Sequence, residues 1–423
     1  MADMLRVGGF GEFSPSGQAQ FDRLLGIVEE VYAKWWYEHI HTPAVEKNEV
    51  LLAKWWDEVS GQIFGLYGLK QWCEKDKKDY SLHFDLTVPL ARYVLDWRNE
   101  LKFPFKRYQI QPVWRGERQQ KWRFKEFFQA DIDTIFEWEG PLWYDVETLV
   151  VIGQALQRIF DEFDLPHRIN IKVNSKKLIL ALFDHIGLNN SEQVELLKLF
   201  DRYYKISKQD FEAQLWAQIG KQKAQDLLAL LGDFDGLLSK FDKEGELRWI
   251  LAEFAKWQEA LRLDRVELEF DPFVVRWLDY YTWMVFESFV QWEQSLGSIA
   301  SGGRYEGLTK YIDSKTNFGG VGGSIGVNRL FSWLEQIKEF DSWQQKYLIL
   351  RFEGIDNQDL ANLMLKEGKI VVLYPSVDSL KKQFKFADKR GIRYVVIRWE
   401  QEQQQWIYKI KDLKTGDEKT YKL

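Results

Sequence analysis

Strand-patterned segments at 80–117 and 266–326 are separated by a helical stretch near 143–164 and by a long run, 177–261, whose apolar residues recur at i, i+3, i+4 spacing, as in VELLKLFDRYYKI and AQDLLALLGDFDGLLSKF. A sheet that draws on both strand groups is therefore discontinuous in sequence, with helices inserted between its halves. The first group comprises YSLHFDLTVPLARYVL at 80–95 and FPFKRYQIQPVWRGE at 103–117, both alternating or rich in aromatic and β-branched residues. The second comprises RVELEFDPFVV, VFESFVQ and the glycine-rich blocks at 302–326 that close the core. Upstream, Phe21, Leu24, Leu25, Val28, Val31 and Tyr32 predict a helix over 18–38, followed by a strand in YEHIHTPAVE that turns at Pro43. After SWLEQIKEF the pattern changes to KYLILRF, a helix near 356–366, KIVVLYP, the basic SLKKQFKFADKRGI, YVVIRW and a hairpin around KTGD. This alternation predicts a small separate α/β domain. The chain thus divides into 1–176, 177–261, 262–335 and 343–423.

With 423 residues and 45% hydrophobic side chains, the chain can bury two or three full cores. Its one cysteine, Cys73, excludes a disulfide within the chain and any multi-cysteine zinc site, which suits a reducing compartment. The start, MADMLRVGGFGEFSPS, has no basic flank followed by an apolar run, and no apolar stretch is long enough to span a bilayer. A cytoplasmic, non-membrane protein is expected. Net charge is −6, yet 343–423 holds 16 Lys plus Arg against 11 Asp plus Glu. That asymmetry fits either contact with a polyanion or a merely solvated basic face. Among the five histidines, His39 and His41 form one His-x-His pair without other close ligand candidates, so no metal site is expected.

Four segments carry the chemistry: RYQIQPVWRGERQQKWRFKEFFQADID at 107–133, RWLDYY at 276–281, SGGRYEGLTKY at 301–311 and GGSIGVNRL at 322–330. Arg115, Arg123, Arg276 and Arg329 lie in or beside them, and a guanidinium is shaped to fork phosphate or carboxylate oxygens. Any one arginine on a strand is more often a surface ion-pair partner. GGVGGSIG is only loosely like a phosphate cradle, since no Lys-Ser/Thr follows it. In this order and spacing, the four segments resemble the active site of histidyl-tRNA synthetases, members of the class II aminoacyl-tRNA synthetase family. The resemblance covers nearly the whole chain and is weakest in the helical insertion.

The resemblance implies an α+β fold: a class II catalytic core, with an antiparallel sheet flanked by helices, in 1–176 and 262–335, a helical insertion in 177–261, and an anticodon-binding α/β domain in 343–423. It implies ATP with Mg²⁺ and histidine as substrates, the histidine tRNA as partner, a homodimer, and no prosthetic group. Activation joins two anions, so the protein must supply cations more than a base. Arg115 and Glu117 match positions that hold the α-phosphate and the adenine edge, Phe127 a ring beneath the adenine, and Arg329 an arginine on the far side of ATP. Arg123 lies beside them in the same loop. Arg276 matches the arginine that bridges the reacting carboxylate and the α-phosphate. Asp85, Thr87 and Gln129 map to the α-amino group of histidine, and Asp133, Tyr280, Tyr281 and Tyr305 to its ring pocket. Asp85 and Asp133 stand where bacterial relatives often have glutamate, and Asn328 replaces an acidic residue that commonly precedes the motif arginine. Lys381, Lys382, Lys385, Lys389 and Arg390, with Phe384 and Phe386 interleaved, map to the anticodon surface; as bare pattern, the two rings equally suit a domain core.

Ordinary composition would give on the order of five tryptophans in this length, whereas the chain has 20. Trp122, Trp277 and Trp283 stand at positions that resemble family glycines, as do Trp55 and Trp56; Trp36, Trp72 and Trp399 stand where a glycine would serve a turn. Tryptophan and glycine are physical opposites. The expectation is that many of these codons are UGA, read as glycine in the source organism. Taken literally, Trp277 and Trp283 would crowd the substrate pocket. Two non-catalytic alternatives share the resemblance: a synthetase-like regulatory subunit of ATP phosphoribosyltransferase, which usually lacks the C-terminal domain and erodes the arginines, and a tRNA-sensing synthetase-like module.

Overall fold

A computed structural model describes residues 7–53, 60–67, 79–117, 121–137, 140–275, 281–338 and 344–423. The chain forms two compact units, 1–337 and 338–423. Among the described residues, the strands of the first unit are β1 (Glu38–His39), β2 (Val45–Lys47), β3 (Gly65–Leu66), β4 (Tyr80–Leu82), β5 (Phe105–Trp114), β6 (Glu126–Phe136), β7 (Ile169–Ser175), β8 (Val266–Phe270), β9 (Tyr281–Val290), β10 (Ala300–Tyr305) and β11 (Gly319–Gly326). Eight of them make one sheet in the order β1-β5-β6-β11-β10-β9-β7-β8. From β5 to β7 every neighbour is antiparallel, while β1 and β8 join the two edges in parallel. The sheet is thus mostly antiparallel and is assembled from both strand groups. β7 and β8, which bracket the helical run in sequence, pair with each other, so that run is an enlarged crossover between parallel neighbours.

Helix Pro15–Lys34 starts where Ser14 caps it: the serine hydroxyl accepts the Gly17 N–H at 3.1 Å, and Pro15 takes a first-turn position that needs no donor. Its buried stripe includes Phe21, Leu24, Val28 and Tyr32. Each such side chain contributes about 1.5–3 kcal/mol on burial. The Tyr32 hydroxyl donates to the Ala130 carbonyl of β6 at 3.1 Å, fixing the helix against the sheet. Helix Trp143–Glu162 is buried along most of its length against the same sheet.

The strand expected through 80–95 is realised only as β4, because Thr87–Trp97 is a helix. Asp85 Oδ1 accepts the Val88 N–H at 3.1 Å in its first turn, Pro89 falls where the missing donor costs nothing, and Pro89, Leu90, Ala91 and Val94 share its buried face. Capping therefore overrides the β-branched look of LTVPLARYVL.

The helical run contains Lys176–His185, Asn190–Phe200, Lys208–Ile219, Lys221–Leu231, Phe234–Phe241 and Glu246–Ala260. Phe183, Phe200 and Phe211 form part of its core. Two contacts dock it on the sheet unit. The Tyr203 ring stacks on Phe273 at 3.6 Å, and Tyr204 meets Asp271 beside Lys172, whose Nζ lies 2.7 Å from both.

In the second unit, β12 (Gln344–Ile349), β13 (Ile370–Leu373), β14 (Ile392–Ile397), β15 (Ile407–Asp412) and β16 (Glu418–Lys422) are ordered β13-β12-β14-β15-β16, parallel over the first three and antiparallel after. Successive residues face opposite sides. Leu348, Val395 and Ile397 pack with helix Leu380–Lys389, while Ile349 and Val396 pack with helix Gln358–Lys366.

Six non-glycine residues among those described have positive φ, and four are tryptophans: Trp36 at 62°, Trp122 at 65°, Trp292 at 69° and Trp406 at 56°. That region suits a residue without Cβ. Trp36, Trp292 and Trp406 also present exposed rings, Trp292 at 93%. Trp399 does not follow the pattern: its φ is −89° and its ring stacks on Phe352 at 4.0 Å, so its backbone makes no demand for glycine. Trp55, Trp56, Trp72 and Trp277 lie outside the described residues.

Candidate active site

Period two on β6 puts Gln129, Asp131 and Asp133 on one face. Their partners across β5 are Gln111, Gln109 and Arg107, and across β11 Gly326, Ser324 and Gly322. The result is a polar ladder in the middle of the sheet. At its inner end a Cβ on Gly322 would stand 2.1 Å from Asp133 Oδ1, and one on Gly320 would stand 2.7 Å from the Tyr305 ring. The glycines of GGVGGSIG therefore make room for a carboxylate and a tyrosine and do not wrap a phosphate. The Tyr305 hydroxyl donates to Asp133 Oδ1 at 2.6 Å. Tyr281 pairs with Tyr305 across the bulged β9/β10 ladder, over the space left by Gly303.

Burial pushes Asp133 up to about 7, against the opposing pull of Arg107. Asp85, buried at the start of helix Thr87–Trp97, is pushed up to about 6 by the same cause. Asp131 is raised too, by burial first. Three carboxylates with suppressed ionisation leave this end of the cleft suited to a ligand that brings a cation or N–H donors.

The other end is cationic. Arg115 Nε donates to the Phe84 carbonyl at 3.0 Å, its Nη2 to Gln129 Oε1 at 3.3 Å, and its Cζ lies 5.1 Å from the Phe127 ring centre. Arg123 pairs with Glu117 at 3.4 Å. Arg329 Nη1 donates to the Ser298 carbonyl at 2.6 Å. Burial lowers the Arg329 pKa, and the charges of Arg123 and Arg115 push the same way. Like charges held this close favour an anion between them.

Both ends open into a single cleft of about 1240 Å³. Asp85, Thr87, Gln129, Asp133, Tyr281 and Tyr305 line it, as do Arg115, Glu117, Arg123, Phe127 and Arg329. Arg276 and Tyr280 lie outside the described residues. Asp131 and Ser324 line the cleft as well, and sequence reasoning passed over them although Asp131 sits at period two between two chosen positions. The helical run supplies a further wall through Tyr203, Lys205 and Lys208, a contribution with no sequence signature. Asn328 accepts the Phe128 N–H through Oδ1 at 2.7 Å, a bond that either an amide or a carboxylate oxygen can make.

Trp122 lines the cleft with a buried indole N–H that has no acceptor among the described residues and with Lys121 Nζ 4.8 Å from its ring. Trp283 does not crowd the pocket. Its ring lies near Arg304 and Lys177 and is not among the residues that line the cleft.

In the second unit, Lys381, Lys382, Lys385, Lys389 and Arg390 are exposed along or just after helix Leu380–Lys389, and Lys382 pairs with Asp378 at 3.2 Å. Phe384 and Phe386 pack against the domain core and do not stand out among the lysines as stacking rings.

A sequence model of the histidyl-tRNA synthetase family matches residues 9–330, which include the sheet and every described residue of the cleft. The chain belongs to the histidyl-tRNA synthetase family. A histidine–tRNA ligase of Finegoldia magna is 33% identical over 98% of this chain and 96% of its own length. One from Bifidobacterium longum is 35% identical over 93% and 90%. The crystal structure of histidyl-tRNA synthetase from Nostoc sp. superposes with a TM-score of 0.84 at 27% identity, covering 99% of this chain and 96% of that one. An ATP phosphoribosyltransferase regulatory subunit/histidyl-tRNA synthetase from Bacillus halodurans shares the fold at a TM-score of 0.68 and 19% identity, over 91% of this chain.

Proposed function

We propose that this chain is a histidine–tRNA ligase that works as a homodimer in the cytoplasm. The observation that carries the reading is the union, in one cleft, of a buried Asp133–Tyr305 pair with a cluster of three arginines. Histidine sits with its ring at Asp133, Tyr281 and Tyr305 and its ammonium at Asp85, Thr87 and Gln129; the resemblance assigns Tyr280 to the ring as well. ATP lies along Arg115, Glu117, Arg123, Phe127 and Arg329. The histidine carboxylate attacks the α-phosphorus and pyrophosphate leaves; the terminal ribose hydroxyl of tRNA then attacks the carbonyl carbon of the adenylate, and AMP leaves. Arg115, Arg329 and Arg276 neutralise charge that builds up at the α-phosphate, so no side chain has to serve as nucleophile.

Mg²⁺ enters with ATP, held chiefly by the phosphates; Glu117 and Glu287, both close enough to act on Arg329, are the carboxylates at that end of the cleft. The exposed lysines of helix Leu380–Lys389 hold the anticodon end of the tRNA through phosphate contacts, which fits their exposure and the inward packing of the phenylalanines.

The test is exchange of pyrophosphate into ATP by the full chain carrying glycine at positions 122, 277 and 283. Exchange with histidine and no other amino acid is expected. A folded protein that binds tRNA without exchange would transfer the reading to a sensing module, and one that does neither would transfer it to the regulatory subunit.

A further inference from the structure

Beneath the histidine end of the cleft lies a cation that the cleft never touches. Arg107 stands on β5 directly opposite Asp133 on β6, has no exposed surface, and is absent from the cleft lining. Its Nη2 lies 2.6 Å from Asp133 Oδ2 and 3.4 Å from the Leu86 carbonyl, and its Nη1 donates to Gln109 Oε1 at 3.3 Å. The Asp131 carboxylate is 4.0 Å away. Leu86 is the residue between Asp85 and Thr87, so one guanidinium holds the carboxylate at the ring end and the backbone that carries both side chains at the ammonium end.

The two oxygens of Asp133 are thereby divided. Oδ2 faces Arg107, while Oδ1 receives the Tyr305 hydroxyl and is the oxygen that Gly322 leaves uncovered. Stability alone is a poor account of the arrangement. A buried ion pair contributes little net stability, and the Arg107 Nε–H has no acceptor among the described residues, which costs stability. What the guanidinium does supply is a rigid span: Nη2 meets Asp133 Oδ2 and the Leu86 carbonyl, and Nη1 holds Gln109, so one planar group ties the carboxylate to the turn before helix Thr87–Trp97, as discrimination of a flat polar ring requires.

On the ligase reading given above, we infer that Arg107 is a positioning residue for amino-acid selection, holding Asp133 and the Asp85–Thr87 turn in one geometry so that the ring and the ammonium of histidine are read together. It touches no substrate.

The groups that act most strongly on Asp133 are Arg107 from β5, Asp131 from its own strand, Tyr305 from β10 and Asp85 from the turn before helix Thr87–Trp97, and the buried Tyr32 and Tyr37 hydroxyls are coupled to it as well. Arg107 is the largest influence favouring the ionised form. Removing its charge therefore moves ionisation of Asp133 to higher pH.

The test uses the full chain in histidine-dependent pyrophosphate exchange, comparing Arg107→Leu and Arg107→Lys with Arg304→Lys. Arg304 is the control because it too is buried and carboxylate-paired, with Asp145, away from the cleft. Arg107→Leu is expected to raise the histidine KM by about tenfold or more, leave the ATP KM within about twofold, and shift the acid limb of kcat/KM for histidine upward by about one pH unit. Arg107→Lys keeps the charge and the limb but cannot span Asp133, the Leu86 carbonyl and Gln109 with one planar group, so only the histidine KM rises. Arg304→Lys leaves the histidine KM unchanged. The inference is overturned if the histidine and ATP KM values rise together, if the acid limb stays in place in Arg107→Leu, or if Arg107→Lys and Arg304→Lys behave alike. Should Arg107→Leu fail to fold, Arg107→Lys decides: a raised histidine KM at constant ATP KM supports the role, and a wild-type value overturns it. A wild-type chain without histidine-dependent exchange removes the ligase reading itself, and this inference with it.

Discussion

Asp85 accepts a single backbone N–H within the described contacts and is otherwise buried, so the folded chain bears the cost of its ionisation. Its pKa is raised to about 6 from an ordinary value near 3.8. The folded state thus binds more protons than the unfolded one between those values. The cost is absent below the unfolded pKa, grows as pH rises through about 4 to 6, and is complete above. Asp85→Asn is therefore expected to stabilise the ligand-free protein by about 1–2 kcal/mol at pH 8 and to leave it unchanged near pH 4. Denaturant titrations at the two pH values check this; equal effects at both would refute it. Positive φ gives a second residue-scale expectation. Glycine at Trp36 or Trp406 should raise stability by up to about 1 kcal/mol, since a left-handed conformation costs an L-residue about 1–2 kcal/mol. Glycine at Trp333, buried in helix Val327–Ile337, should cost at least about 3 kcal/mol. If UGA is glycine in the source organism, protein from native cells has an intact mass below that of a chain with 20 tryptophans.

At the scale of elements, long strands and helices were legible where one periodicity ran unopposed, as in β5 and helix Trp143–Glu162. Helix Thr87–Trp97 was not, because its decisive signals, Asp85 capping and an early proline, occupy two positions within a stretch that otherwise reads as β-branched. The polar side chains at the two ends of the cleft could be named from motif segments and from the 80–95 stretch, and Asp131 was available there at period two, yet Ser324 emerges only from strand register, and Arg107, beneath the cleft, only from burial. Pairing across a sheet is a three-dimensional fact that linear spacing does not contain. The wall made by the helical run is of the same kind, since Lys205 and Lys208 reach the cleft only because Tyr203 and Tyr204 dock on Phe273 and Asp271. Replacing both lysines with alanine should weaken tRNA charging severalfold, more steeply at high salt, while pyrophosphate exchange stays within about twofold. Equal loss in both assays would show that these lysines serve ATP and not tRNA.

Across the whole molecule, excess positive charge and the cleft belong to different compact units. Their duties should accordingly separate in mutants. Lys381→Ala with Lys385→Ala and Lys389→Ala is expected to raise the tRNA KM and to reduce the salt slope of tRNA binding by about 3, with exchange unaffected. A drop in exchange would contradict that division. The charge asymmetry was visible in sequence, but its use was not, because a basic stripe looks the same whether it meets a polyanion or water. Phe384 and Phe386 pack against the domain core, so what that helix presents to solvent is its lysines.

The parallel pairing of β7 with β8 bears on how far the chain can be shortened. A parallel pair cannot be closed by a tight turn; its connection must travel back along the full length of the strands. Helix Glu246–Ala260, which packs against β8 and helix Trp143–Glu162, makes that return. Any shortened chain therefore has to keep the returning helix even though it carries no residue of the cleft, and trimming can begin only beyond Lys208, past the residues that wall the cleft.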